Sequence, residues 1–96
     1  MKQNENHYGL AKIIEELHGC KATYVKTVPV LETWKDQVVW DGEVELFSLE
    51  GHPKASKCYA WAFDKDGKPE YVTVLELPPV DSALKAVQTY IVSKIK

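Results

Sequence analysis

The segment SKCYAWAF, residues 56–63, constrains more than any other what this chain can fold into. The side chains of a β-strand alternate between the two faces of its sheet. The two rows are Cys58, Ala60 and Ala62 on one face, and Tyr59, Trp61 and Phe63 on the other. Both rows are apolar, whereas a strand with one face in water usually alternates apolar and polar residues. Either the protein covers both faces of this strand, or one face is kept for a partner.

Two amphipathic segments flank the β-rich middle of the chain. The first predicts a helix over residues 7–18, which Gly19 ends, because glycine tolerates the left-handed conformation at a helix end. The second predicts a helix that Asp81 or Ser82 caps and that runs to about Ile95. The apolar stripes are Leu10, Ile13, Ile14 and Leu17 in the first helix, and Leu84, Val87, Ile91 and Ile95 in the second.

Segments rich in β-branched and aromatic residues predict the strands between these helices. They are residues 20–32, 38–49, 57–63 and 71–77. Pro29 donates no ladder hydrogen bond, which predicts an edge position or a bulge. Asp41-Gly42 is either a two-residue hairpin turn or a bulge within one long strand. The TWKDQ segment fits a loop, a helical turn or the start of a strand.

The predicted fold class is α+β, in the order α-β-β-β-β-α. Short connections favour antiparallel neighbours, so we expect a sheet of about four strands. Both helices are expected on one face of this sheet, which gives a two-layer sandwich. Residues 1–6 are polar and are expected to be flexible, and residues 7–96 are expected to form a single domain.

Two helices on one side of the sheet leave its other face open. Three arrangements could account for that open face. A hairpin of residues 57–63 and 71–77 is expected to place Phe63 near Tyr71 and Trp61 near Thr73. In the first, the aromatic face lies under the helices, and residues 20–32 or the TWKDQ segment partly cover the small face. In the second, another copy of the chain covers the open face or an edge. The third possibility is a shallow ligand site with a floor of Tyr59, Trp61, Tyr71 and Trp40.

The charge composition argues against nucleic acid as a partner. The net charge is −2, and all twelve basic residues are lysine. Arginine is the preferred side chain for reading phosphates and base edges. The order of elements resembles that of the double-stranded-RNA-binding domain, whose last helix opens with a lysine cluster. The corresponding segment here, PPVDSALKAV, is acidic at its start and carries only Lys85.

Two cysteines, Cys20 and Cys58, are too few for a secreted disulfide scaffold. The opening MKQNENHYGL lacks the apolar stretch of a signal peptide, and no window reaches the length of an apolar membrane span. We therefore expect a cytoplasmic protein with reduced thiols.

Four residues, His18, Cys20, His52 and Cys58, match the ligand types of a structural zinc site. Their spacings, His-x-Cys and His-x5-Cys, are unlike the short paired spacings of zinc sites, so we expect no metal and no other cofactor. Cys58 with His52 is also a possible nucleophile and base. No glycine-flanked nucleophile turn accompanies the pair, so no catalytic residue is assigned and an enzyme is not the expected class.

The loop GHPKASK is the most site-like segment, because its lysines lie next to aromatic residues. Such a combination could hold an anion or a nucleotide base. The alternative is a turn with solvated lysines. The candidate ligand-binding residues are His52, Lys54, Lys57, Tyr59, Trp61 and Trp40.

The run VVWDGEVELFSLEGHPKASKCYAWAF resembles a group of small bacterial proteins that share VW-G, GHP and YAW elements. No activity is attached to that group, so the resemblance implies only a bacterial cytoplasmic protein. From the residues themselves, we expect a non-enzymatic binding or accessory module that forms a homodimer, or another homo-oligomer, through an apolar sheet face or edge.

Overall fold

A computed structural model describes residues 2–95 of the chain, and the side chains of residues 9–93. It confirms the α+β class, the predicted element order and the antiparallel sheet. The four strands form one sheet in the order β1-β2-β3-β4. The elements are α1 Lys2–His18, β1 Lys21–Trp34, β2 Gln37–Glu50, β3 Lys57–Lys65, β4 Lys68–Leu75 and α2 Ala83–Ile95.

The ends of the helices carry the expected capping residues. Gly19 has a φ of 64°, and its N–H donates to the carbonyl of Glu15 at 2.9 Å. At the start of α2, the Ser82 hydroxyl accepts the N–H of Lys85 at 3.2 Å, so Ser82 rather than Asp81 is the cap. Helix α1 begins at Lys2, five residues before its predicted start. The flexibility of residues 1–6 stays a prediction.

Two tight turns define the hairpins. Lys35 and Asp36 have φ values of 53° and 64° and join β1 to β2, and Asp66 and Gly67, at 54° and 80°, join β3 to β4. Two successive positive φ angles are typical of the turns that suit the twist of a hairpin. The ambiguous TWKDQ segment is therefore the first turn.

Asp41-Gly42 lies inside β2, so the hairpin interpretation of this dipeptide is wrong. The strand runs unbroken from Gln37 to Glu50, and Gly42 pairs with Val30. The bulge is at Val39, where the register shifts between Glu32 and Thr33 of β1. β1 is an edge strand, one of the two possibilities that Pro29 predicted. A second register shift surrounds Val25, four residues before Pro29.

The prediction that both helices cover the same face is wrong, because they lie on opposite faces of the sheet. Leu10 and Ile14 of α1 pack in one buried cluster with Cys58 and Ala60. On the other face, Val87 of α2 and its neighbours pack against Tyr59 and Trp61. Since both rows of β3 are apolar, each recruits one helix, and the protein has three layers rather than two.

The register of the second hairpin differs from the expected one by one residue. Trp61 pairs with Val72, and Ala62 pairs with Tyr71. The two-residue turn sets this register by pairing Lys65 with Lys68. A slip of one residue moves every side chain of a strand to the other face, so Tyr71 lies on the α1 side, away from Trp61.

Neither helix among residues 2–95 has both the length and the apolar character needed to cross a bilayer.

Candidate binding cleft between the hairpins

The two hairpins are joined along only part of their length. The ladder between β2 and β3 runs from Ser48 and Lys57 to Glu45 and Ala60, where it ends. Beyond that point no pairing joins the two strands, and residues of both line an open cleft of about 510 Å³. We call it the interhairpin cleft. It is lined by residues 39–43 of β2, residues 61–63 of β3, and Tyr90 and Ile91 of α2.

Aromatic rings form the wall of the cleft on the α2 side. The ring of Trp40 lies edge-to-face with that of Trp61 at 5.4 Å between centroids, and Trp61 contacts Tyr90 at the same distance. Gly42 permits this arrangement, because a Cβ at this position would come within 3.2 Å of the Trp40 ring. The strand glycine thus serves close packing of an indole and not a turn.

The α1 side of the cleft is acidic. Asp41 and Glu43 lie on the face of β2 opposite to Trp40 and are exposed. Among the described side chains, neither carboxylate forms an ion pair with a lysine. The cleft therefore has an aromatic side and a negatively charged side.

Trp61 carries an unpartnered hydrogen-bond donor at the cleft. Its side chain is only 3% exposed, and within the described part of the chain its Nε1 has no acceptor. Buried polar groups in native proteins are nearly always hydrogen-bonded. This nitrogen has almost no accessible surface, so a ligand in the cleft could reach it only if the Trp61 ring moved.

The structure does not bring the sequence-predicted ligand residues together. His52 lies in the loop after β2, where its Nδ1 accepts the N–H groups of Lys54 and Ala55 at 3.1 and 3.0 Å. Ten residues of strand separate Trp40 from the end of β2, which is roughly 30 Å. Lys54 and Lys57 are exposed near His52, so the loop and the aromatic wall are separate regions.

Tyr59 lies buried on the α2 side, between these two regions. Its hydroxyl donates to Oε2 of Glu76 at 2.7 Å. Burial, together with the nearby Glu76 carboxylate, raises the pKa of Tyr59 above its ordinary value. The hydroxyl is therefore a structural donor, and of the six predicted residues only Trp40 and Trp61 line the cleft.

His18 and His52 form a small cluster on the α1 side. Their ring centroids are 6.1 Å apart, and Nε2 of His18 lies 3.2 Å from the hydroxyl of Thr73. Burial, and then the neighbouring His52, lower the pKa of His18. Within residues 2–95, no three His, Cys, Asp or Glu side chains are placed so that they could hold a metal ion.

Cys58 is poorly suited to nucleophilic chemistry. Its side chain is fully buried, and its Sγ–H donates to the carbonyl of Tyr59 at 3.6 Å. Burial raises the pKa of Cys58 to about 12. Because the thiolate is the reactive form, a thiol with this pKa is inert near neutral pH.

We expect the two thiols to react at very different rates with 5,5′-dithiobis(2-nitrobenzoate). Cys20 is half-buried, whereas Cys58 is shielded by α1. In the native protein at pH 8, Cys20 should react at least tenfold faster, and Cys58 should react fully only in denaturant. The variant Cys20→Ser isolates Cys58. Rapid modification of native Cys20→Ser protein would contradict the expectation and restore the Cys58–His52 enzyme hypothesis.

Sequence reasoning missed most of the cleft, including Gly42, Phe63 and Tyr90. One signal was present, because a glycine inside a strand pattern often marks close approach of another group. The divergence of β2 from β3 has no comparable local signal. Comparisons with models of known protein families, with curated proteins and with solved structures found no match.

Proposed function

We propose that this protein is a non-enzymatic binding module whose ligand occupies the interhairpin cleft. The observation that carries the proposal is the early end of the β2–β3 ladder at Glu45 and Ala60. It leaves two strand edges facing each other beside an aromatic wall. Concave sites with aromatic linings and a few polar groups are the usual form of ligand sites, and a volume of about 510 Å³ lies within their range.

The chemistry of the cleft favours binding over catalysis. Among its lining residues, the ionisable carboxyl groups are Asp41 and Glu43, on the exposed side. Among the described lining residues there is no cysteine, serine or histidine that could form a nucleophile–base pair. The loop of His52 lies at the far end of β2.

The outer edges of the sheet carry features that oppose pairing with another chain. On β1 these are the bulge at Val25, the lysine at position 26 and Pro29. On β4 they are Lys68 and Pro69. Charged residues, prolines and bulges are the devices that blunt exposed strand edges. The edges inside the cleft have neither lysine nor proline among their described lining residues, although β2 has a bulge at Val39 there. Their charged residues, Asp41 and Glu43, are acidic, so they oppose an acidic strand and attract a basic one.

Replacing Trp40 by alanine is expected to remove ligand binding. Peptides can be selected from a displayed library of random twelve-residue sequences on the wild-type protein. Their affinity for Trp40→Ala should fall at least tenfold, because large aromatic anchors supply most of the binding energy at an interface. Fluorescence anisotropy of labelled peptides measures the affinity.

The matched control is Trp34→Ala, which removes an exposed tryptophan of the same hairpin outside the cleft. The affinity of Trp34→Ala for the selected peptides should stay within about twofold of that of the wild-type protein. Circular dichroism verifies that both variants are folded. Selected peptides that bind Trp40→Ala as tightly as wild type would reject the cleft as the site.

Self-association is a second candidate function, favoured by the tip of the first hairpin. Leu31, Trp34 and Val38 are each about 60% exposed there (59%, 65% and 60%). Leu31 and Val38 lie on the α1 face of the sheet, and Trp34 lies on the opposite face. Clusters of exposed apolar residues often mark contact surfaces. The homodimer expected from the sequence therefore stays a prediction, with this tip as its contact surface. Light scattering across a dilution series tests it, and a constant monomer mass would exclude it.

A further inference from the structure

We infer that the ligand is an extended peptide segment of a partner protein, with alternating basic and apolar side chains, added as a strand between β2 and β3. This inference rests on the proposed function, because it names the ligand class of the same cleft. The two strands are antiparallel and are paired only as far as Glu45 and Ala60, so each presents a free edge to the gap. The main chain of an extended peptide is the natural partner of such an edge.

The alternation of the peptide follows from the alternation of β2. Trp40 and Gly42 lie on the α2 side of the sheet, and Asp41 and Glu43 lie on the α1 side. Side chains of a paired strand lie directly opposite those of its neighbour on the same face. One row of peptide side chains therefore meets the aromatic wall, and the other meets carboxylates.

Strand β3, on the other side of the gap, shows a similar alternation of side chains between the two faces. On β3, Trp61 and Phe63 share the α2 side, and Ala62 and Asp64 share the α1 side. Asp64 is exposed and forms no ion pair with a described lysine. A basic side chain in the gap would thus have carboxylates on both neighbouring strands. Ala62, which is small and exposed, leaves room for a long lysine or arginine side chain.

The aromatic side of the gap offers an apolar recognition surface. The indole N–H of Trp61 is itself fully buried, so it is not available to a peptide in the gap. Apolar side chains of the peptide would cover Trp40 and Tyr90, which already contact Trp61.

Isothermal titration calorimetry with end-blocked seven-residue peptides tests the inference. The probe alternates lysine with valine, one control has the same composition with its lysines in one block, and a second control alternates glutamate with valine. We expect the alternating lysine peptide to bind at least tenfold more tightly than either control, because only its pattern matches both faces of the gap.

Two double variants, each of which removes two negative charges, test whether the carboxylates of the cleft contribute to peptide affinity. Asp41→Asn/Glu43→Gln should raise the dissociation constant of the alternating lysine peptide roughly threefold to thirtyfold, from the loss of two cross-strand charge pairs. Glu16→Gln/Glu50→Gln removes the same amount of charge at exposed positions outside the cleft. This control should change the dissociation constant of the peptide less than twofold. Hydrogen exchange of the complex should show new amide protection in residues 40–44 and 61–64.

The outcomes separate this inference from the proposed function. Equal binding of all three peptides, an equal effect of both double variants, or no new amide protection would overturn the added strand. The proposed function would survive these results if displayed peptides still depend on Trp40. If no displayed peptide depends on Trp40, the proposed function fails, and the inference fails with it.

Discussion

Replacing Phe47 by alanine is expected to lower the free energy of unfolding by about 3–5 kcal/mol. Phe47 is the largest fully buried side chain among the described residues, and it packs with Leu10 and Ile14 under α1. The substitution leaves a cavity that the fixed helix cannot fill. Because whole domains are stable by only about 5–15 kcal/mol, this loss is a large part of the total stability. Urea unfolding followed by circular dichroism measures the change.

Phe63→Ala is the matched control for this prediction. Phe63 is 36% exposed, and its ring lies 6.5 Å from that of Tyr90. Its removal should cost clearly less, about 1 kcal/mol, since most mutations at partly exposed sites are mild. Equal costs at both positions would show that the buried cluster under α1 does not carry the stability assigned to it.

The second large effect is expected from a charge placed under α1. Ala60 is fully buried between this helix and the sheet. Ala60→Asp would bury an unpaired carboxylate, for which the penalty is about 3–5 kcal/mol or more. We expect this variant to lose its cooperative thermal transition.

Ala62→Asp provides the control two residues along the same strand and on the same face. Ala62 is exposed, because the cover of α1 ends before this position. The change in stability should stay within about 0.5 kcal/mol. If both variants unfold alike, or both fold alike, α1 does not lie where the structure places it. The pair therefore tests the three-layer arrangement directly.

Local sequence signals were sufficient for the presence of both helices, for the end of α1, for the start of α2 and for one turn. Gly19 and Ser82 end and begin helices for reasons contained in their own backbone and hydroxyl chemistry. Asp66-Gly67 likewise takes the two positive φ angles that its hairpin needs. Lys35-Asp36 takes the same geometry without glycine, so the sequence alone does not distinguish a loop, a helical turn and the start of a strand there.

The sides of the sheet on which the helices lie could not be predicted, because both rows of β3 are apolar. A small row and an aromatic row accept a helix equally well, and the hydrophobic pattern does not specify which helix lies where. The register error at Tyr71 has a similar origin. Where both faces are apolar, hydrophobic pattern alone does not distinguish a strand from the same strand slipped by one residue.

The candidate site was predicted only in part, for a reason that is not local. Trp40 and Trp61 were identified as an aromatic floor, and they do line the cleft. The cleft itself arises because two hairpins diverge, which depends on the twist and bulges of long strands. The bulge of β2 is at Val39, whereas the sequence offered only Asp41-Gly42, as a bulge or as a hairpin turn.

The short ladder between the hairpins has a kinetic consequence. A sheet that accepts a new strand at its centre must ordinarily first break the hydrogen bonds between two of its own strands. Here the pairing already stops at Glu45 and Ala60, so a peptide that binds in the gap would not have to break hydrogen bonds between β2 and β3. Capture should then proceed at the ordinary rates of docking, about 10⁵–10⁷ M⁻¹s⁻¹, rather than at the rate of a local unfolding event.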